Sequence, residues 1–181
     1  MRILEEVVVD PVGPRKVPSV VVTGERGNQK AGGNHFMIVG MDAKTERLVL
    51  AFTKDKEAAT LTPKLQEMRR DLEMLAKQSV EYNGTSKVKL QAWVSDRDAA
   101  FTSDLAVAEM MSRRIYHKMA ASGARNHTPL LDAKIRRLLD KVRVVLDDSG
   151  LGPEYFELAA RHCADIINME GTRSHPLGWS P

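Results

Sequence analysis

Apolar positions along the chain fall into short alternating or continuous runs and longer runs spaced by three and four. Residues 3–9, "ILEEVVV", predict a strand ending at Asp10, and "PVGP" breaks it. Residues 15–34 include "GERGNQKAGGN", rich in Gly and polar residues, and predict a long mobile loop. "HFMIVGMD" (35–42) predicts a second strand ending at Asp42, "AKTE" a turn, and "RLVLAFT" (47–53) a third strand, so 36–53 has the form of an antiparallel hairpin. The period then changes. Leu65, Met68, Leu72, Leu75 and Ser79 sit at spacings of three and four, predicting a helix from Pro63 to about Tyr82 with Thr62 as N-cap.

"KVKLQAWV" (87–94) predicts a fourth strand, Thr102 or Ser103 starts a short helix to about Arg113, and "IYHKM" (115–119) predicts a brief fifth strand. Thr128 as N-cap and Pro129 as first helical residue open a long helix to about Asp148, with Leu131, Ile135, Leu138, Leu139, Val142, Val145 and Leu146 in one stripe. "SGLGP" ends it, and a last helix spans about Glu154 to Met169. Three sequential strands followed by strands alternating with helices predict one mixed sheet covered by helices, an α/β architecture. Trp93 and Cys163 are expected in the core, as are Met68, Met74, Met110 and Met111.

Composition narrows the setting. The chain has 181 residues, 43% of them hydrophobic, which suits one domain with a sizeable core. No apolar run approaches the roughly 18–20 residues that span a bilayer, and "MRILEEVVVD" has no cleavable signal pattern. One cysteine, Cys163, excludes an internal disulfide and a cysteine-built zinc site, so a reducing, intracellular setting is expected. The net charge of +3 permits nucleic-acid binding without requiring it. Positive charge gathers in "RKVP", "RRIYHK" and "KIRRLLDKVR", which also suits solvated helix faces.

Three acids stand at suggestive places. Asp10 and Asp96 each follow a predicted strand, and Asp132 lies in the first turn of the long helix. With Leu131 at zero and a step of about 100° per residue, the apolar stripe centres near 20° and Asp132 lies near 100°, at its edge. Arg136 and Arg143 fall near 140° and 120°, beside it. Three carboxylates suit Mg²⁺, which takes hard oxygen ligands, and two such ions clamp the attacking and leaving oxygens of a phosphodiester. The alternative is ordinary: Asp132 favours the helix dipole by roughly 0.3–1 kcal/mol, and Asp96 caps a turn.

The order of these motifs resembles the catalytic core of copia-type retrotransposon integrases. "VVVDPVGP" is similar to the family's first strand, with its Asp before a Gly-Pro turn, and "FMIVGMDAKTERLVLAFTKDKEA" resembles the next hairpin. "VSDRDAAFTSD" looks like the family's Ser-Asp-Asn-Gly-Gly-Glu-Phe stretch, with Ser95, Asp96 and Phe101 in place. "RIYHK" puts His117 in register, "AKIRRLLD" parallels the family's basic helix, and "GLGPEYFELAARHCADIINMEGTRSHPLGWSP" resembles its closing helix with the Ile-Asn and Thr-Arg pairs. The family pattern places thirty-five residues between its second and third acids, and thirty-five separate Asp96 from Asp132. Three features depart from the pattern: Asp132 replaces a Glu, Asp98-Ala99-Ala100 replace Gly-Gly-Glu, and 15–34 forms a longer insertion.

The resemblance implies an RNase H-like mixed five-stranded sheet flanked by helices over residues 1–170, with a mobile insertion at 15–34 and an irregular tail at 171–181. It implies Asp10, Asp96 and Asp132 as catalytic metal ligands for Mg²⁺ or Mn²⁺, with Asp98 a rival for the second position. It implies 3′-end processing and strand transfer, with one ion activating water or a DNA 3′-hydroxyl and the other stabilising the leaving oxygen. The implied partners are DNA, as retroelement ends and target, and a second copy of the chain in a homodimer or higher oligomer; the implied location is the nucleus, with no membrane. Arg125, Asn126, Arg136 and Arg143 are candidate nucleic-acid contacts, against the simpler reading of a polar loop and a solvated helix edge. Asp42 reads as a turn acid, His117 as a satisfied strand-end histidine, and Lys134 and Arg137 as solvent-facing. Two alternatives remain: a catalytically degenerate RNase H-like module that binds nucleic acid or assembles with partners, and a nuclease of the same fold that cuts without joining.

Overall fold

The computed structural model describes residues 4–23, 28–77, 88–95, 99–119 and 129–170, with backbone alone at 20–23, 28–32, 99 and 100. The strands are β1 (Val7–Val12), β2 (Ser19–Thr23), β3 (Asn28–Asn34), β4 (Phe36–Asp42), β5 (Leu48–Thr53), β6 (Ala92–Ser95) and β7 (Tyr116–Met119). The helices are α1 (Ala58–Lys77), α2 (Ala99–Thr102), α3 (Asp104–Ser112), α4 (Pro129–Ser149) and α5 (Phe156–Met169), with a 3₁₀ turn at Pro153–Tyr155. Five strands form one mixed sheet in the order β5-β4-β1-β6-β7. β5, β4 and β1 pair antiparallel; β1, β6 and β7 run parallel.

The sheet is buried on both faces, and alternation along β1 shows how. Val7 and Val9 join Ile38, Val49, Ala51 and Trp93 beneath α1 and α3. Val8 joins Val39, Leu50 and Val94 beneath α4 and α5, and Val12 packs at its margin. Successive side chains on a strand point to opposite faces. β1 therefore reads as an unbroken apolar run because helices cover both sides. α4 buries Leu131, Ile135, Leu138 and Val142, the stripe predicted from its period. Gly40 lets α1 approach closely: a Cβ there would lie 2.7 Å from the Met68 terminal methyl.

Several expectations are corrected. β1 stays paired with β4 through Val12, so Asp10 lies within the strand and not at its end. The loop expected over 15–34 contains an antiparallel ribbon, β2 with β3. Its polar sequence hides it because its anchors are polar: Ser19 Oγ and Asn34 Nδ2 donate to Glu157 Oε2 at 3.1 and 3.2 Å. α1 begins at Ala58, and Pro63 is inside it; the Thr62-Pro63 pair imitates a helix start, but Leu61 extends the buried stripe backwards. The Glu57 carbonyl accepts from Thr60 and Leu61, and Asp55 Oδ1 accepts from the Glu57 N–H, so the true start is one turn earlier. β6 is shorter than expected, beginning at Ala92. Trp93, Cys163, Met68 and Met110 are buried as expected, whereas Met74 and Met111 are 55% and 72% exposed, outside the core. Expected features at 78–82, Thr128 and 171–181 lie outside the described residues.

Asp42 is a structural turn acid. It is buried, its Oδ1 accepts from the Leu4 N–H at 2.9 Å, and its Oδ2 accepts from the Thr45 N–H and hydroxyl at 2.9 and 2.7 Å. It thus fixes the β4–β5 turn and ties down the chain before β1. Replacing Asp42 with Ala strands these donors and should cost about 3 kcal/mol. Urea denaturation measures it; a loss below about 1 kcal/mol would show that water replaces the carboxylate.

Candidate metal centre

Asp10 occupies the β1 position between Val8 and Val12, opposite Val39 of β4. Val8, Val12 and Val39 all face the α4–α5 layer, so alternation directs Asp10 to that same side. Its side chain is half-buried, and it has a bonding partner. β6 runs parallel beside β1, with Val7 opposite Trp93 and Val8 opposite Val94, and ends at Ser95.

Asp132 stands in the first turn of α4, exposed, immediately after the fully buried Leu131. Leu131 packs in the same layer as Val8, which seats the start of α4 on the face that carries Asp10. The Asp132 carboxylate forms no hydrogen bond or ion pair with another described residue. Two carboxylates, hard-oxygen groups of the kind Mg²⁺ takes, thus share one side of the sheet. Asp96, the residue after Ser95, lies outside the described residues, as do Asp98, Arg125, Asn126 and His127. Among the described residues no group of three His, Cys, Asp or Glu is gathered.

The basic flank of α4 is uneven. Arg136 and Arg143 are exposed on the side of α4 that carries Asp132, and Arg143 pairs with Asp140 at 3.0 Å. Such an exposed pair contributes little to stability. Lys134 does not face solvent: its side chain is 11% exposed and meets Glu46 of the β4–β5 turn at 3.2 Å. Arg137 and Lys141 both meet Glu170.

His117 lies on the other face. It pairs in register with Trp93, in the layer beneath α1 and α3. Its Nε2 bonds Ser95 Oγ at 2.8 Å, and its ring sits 6.3 Å from that of Phe101. The Ser95, Phe101 and His117 positions therefore fasten the end of β6 to α2 from beneath. His117 is the satisfied strand-end histidine expected, bonded to Ser95 on the face opposite Asp10. Burial lowers its pKa below 6.5.

A further cluster at the end of β1 was not foreseen. The Arg15 guanidinium lies over the Phe156 ring, and its Nε is buried without a hydrogen-bond partner. Burial, and secondarily the charge of Arg143, lower its pKa to about 10. Arg161 Nη2 donates to Glu157 Oε1 at 3.1 Å, completing the anchor of the ribbon. The only hint in the sequence is "RKVP", which reads equally well as loop polarity.

The fold defines an architectural class: an α/β core with a mixed five-stranded sheet between helical layers. Among the solved structures that match are retroviral integrases. The HTLV-2 integrase catalytic core domain in complex with magnesium, in its trimeric form, matches with a TM-score of 0.60 and 12% identity, over 96% of this chain and 92% of that one. The BIV integrase catalytic core domain matches with a TM-score of 0.63 and 11% identity, over 96% and 90%. Within the simian T-cell lymphotropic virus intasome in complex with PP2A regulatory subunit B56 gamma, the match has a TM-score of 0.65 and 11% identity, over 96% of this chain and 52% of that one. Identities this low establish the fold. No family model and no curated protein matches the sequence.

The lowered His117 pKa has a consequence with a definite sign. The unfolded chain takes up this proton more readily, so the contribution is whole above pH 6.5 and is lost as pH falls below it toward the folded-state value. The His117 imidazole should titrate by NMR with a midpoint below 6.5, and His117→Gln should flatten the fall in stability between pH 7 and 5. A midpoint at or above 6.5 would contradict the burial argument.

Proposed function

We propose that this chain is the catalytic core of a copia-type retrotransposon integrase, a polynucleotidyl transferase that processes and joins DNA ends. The observation that carries the reading is Asp10 and Asp132 on one side of an integrase-type sheet. Asp96 joins them in this proposal, at the family's spacing of thirty-five residues before Asp132. The three carboxylates would hold Mg²⁺ or Mn²⁺, and such ions supply charge stabilisation to the attacking and leaving oxygens of a phosphodiester. Asp10, fixed by the β1–β4 ladder, and Asp132, fixed by the buried Leu131, set where the reacting phosphate is held. Arg136 and Arg143 on the same flank of α4, with Arg125 and Asn126 before the helix, would meet backbone phosphates.

The magnesium-bound HTLV-2 core supports the choice of ion, and the dimeric and trimeric forms of that core support self-association. We assign a homodimer or higher oligomer with α1 and α4 as candidate surfaces, DNA ends and target DNA as partners, and the nucleus as location. Among the described residues no helix is long and apolar enough to cross a membrane. The second reading, a degenerate nucleic-acid-binding module, draws on Asp132 in place of a Glu and on Asp98-Ala99-Ala100 in place of Gly-Gly-Glu. Shortening a ligand by one methylene moves its oxygens by about 1 Å, enough to cost roughly 10²-fold in rate.

A Mn²⁺-dependent strand-transfer and disintegration assay separates the two. The integrase reading expects joined products, reduced roughly 10²-fold or more in Asp10→Asn and Asp96→Asn, because an amide is no anionic ligand. Wild-type protein that binds DNA but yields no product supports the degenerate module, and cleavage without joining supports a nuclease.

A further inference from the structure

The end of β1 opens into a cleft of about 390 Å³, formed by residues 12–17 and closed by Pro153. Its shape is held from several sides. The Arg15 N–H donates to the His35 carbonyl at 2.8 Å, and His35 Nδ1 bonds the Arg15 carbonyl at 3.0 Å. Gly13 adopts φ +139°, and a Cβ there would lie 2.9 Å from the His35 carbonyl oxygen, so the turn needs glycine. Pro14 and Pro153 add stiff walls.

Among the described residues, no acid compensates the charge in this cleft. Arg15 and Lys16 both line it, and among the described residues neither has a carboxylate partner. Arg143 reaches over from α4 closely enough to oppose the charge on Arg15. The nearby acids are otherwise placed: Glu157 is engaged by Ser19, Asn34 and Arg161, and the Glu154 carboxylate folds back against Gly152. A buried Nε–H without an acceptor costs free energy, and an anion in the cleft supplies the countercharge that Arg15 and Lys16 lack. Stacking on Phe156 holds the guanidinium plane in place, so little side-chain entropy is lost when the anion binds.

We propose that this cleft is a phosphate-binding subsite that seats one backbone phosphate of a nucleic-acid strand, gripped by Arg15 and Lys16. The cleft starts at Val12, two residues beyond Asp10 on the same strand and facing the same layer. A strand held there starts two residues from Asp10 along β1, and Glu157, next to Phe156, ties the β2–β3 ribbon to α5. The assignment rests on the nucleic-acid reading above but needs no catalytic step.

The test has two arms, both in EDTA so that metal chemistry plays no part. In the first, inorganic phosphate is titrated while the Arg15 Nε–H signal is followed by NMR; a saturable shift is expected, weakened in Lys16→Gln. In the second, binding of a duplex oligonucleotide is measured by anisotropy between 50 and 200 mM salt. Lys16→Gln and Arg15→Gln should each lower the slope of log K against log salt by about 0.9, the value of one phosphate contact. Lys64→Gln, on α1 across the sheet and paired with Glu67, should leave it unchanged. Thermal melting checks that Arg15→Gln still folds, and Lys16→Gln, exposed at the rim, keeps the test valid if it does not. An unchanged slope in Lys16→Gln, or a phosphate shift without any oligonucleotide binding, overturns the proposal. Slope changes as expected, with no joined product in the separate Mn²⁺-dependent assay, would refute the integrase reading alone.

Discussion

Burial of β1 on both faces is the constraint from which the rest follows. A strand in the middle of a sheet covered on two sides is expected to be apolar along its length, and the side chains packed around β1 come from β4, β5, β6 and both helical layers. Asp10 breaks that rule and is half-buried, on the face that α4 covers. A half-buried acid in such a strand is costly unless a partner offsets it. The same alternation that buries Val8 and Val12 commits Asp10 to the α4 side, and the same apolar stripe that buries Leu131 commits Asp132 to it. The candidate site is thus a by-product of how the core is packed.

The polar anchors matter because they hold the frame around that site. Asp42 locks the β4–β5 turn, and Glu157 fastens the ribbon to α5. Asn168 does the same for the edge strand: its side chain accepts from the Leu48 N–H at 2.7 Å and donates to the Leu48 carbonyl at 2.8 Å, standing in for a missing neighbour strand. His117 and Ser95 set the end of β6 from the opposite face. Each is a polar side chain satisfying backbone or side-chain groups at the margin of the core.

Much of the fold is legible in the sequence. The valine run, the 36–53 hairpin and the α4 stripe each impose one period over enough residues to be read directly. Asp132 beside Arg136 and Arg143 follows from helix geometry alone, and the three do share an exposed flank. What the sequence hides is held by long-range polar contacts. The β2–β3 ribbon looks like a loop because it is anchored by Ser19 and Asn34 to a residue 138 and 123 positions away. Thr62-Pro63 carries a strong local start signal, which Leu61 overrides by burial in the core. Arg15 is visible only as one more basic residue until Phe156 is brought beneath it. The Ile-Asn pair near the end gains a physical meaning only in three dimensions, with Ile167 in the core and Asn168 on the edge strand.

The central claim is that Asp10 and Asp132 belong to one metal centre. The most direct measurement is a crystal of the wild-type chain soaked in Mn²⁺, with anomalous scattering used to place the ions. The result expected is one or two peaks within coordination distance of the Asp10 carboxylate, at least one of them also bound by Asp132. No peak at saturating Mn²⁺, or peaks that Asp10 and Asp132 do not share, would contradict the claim.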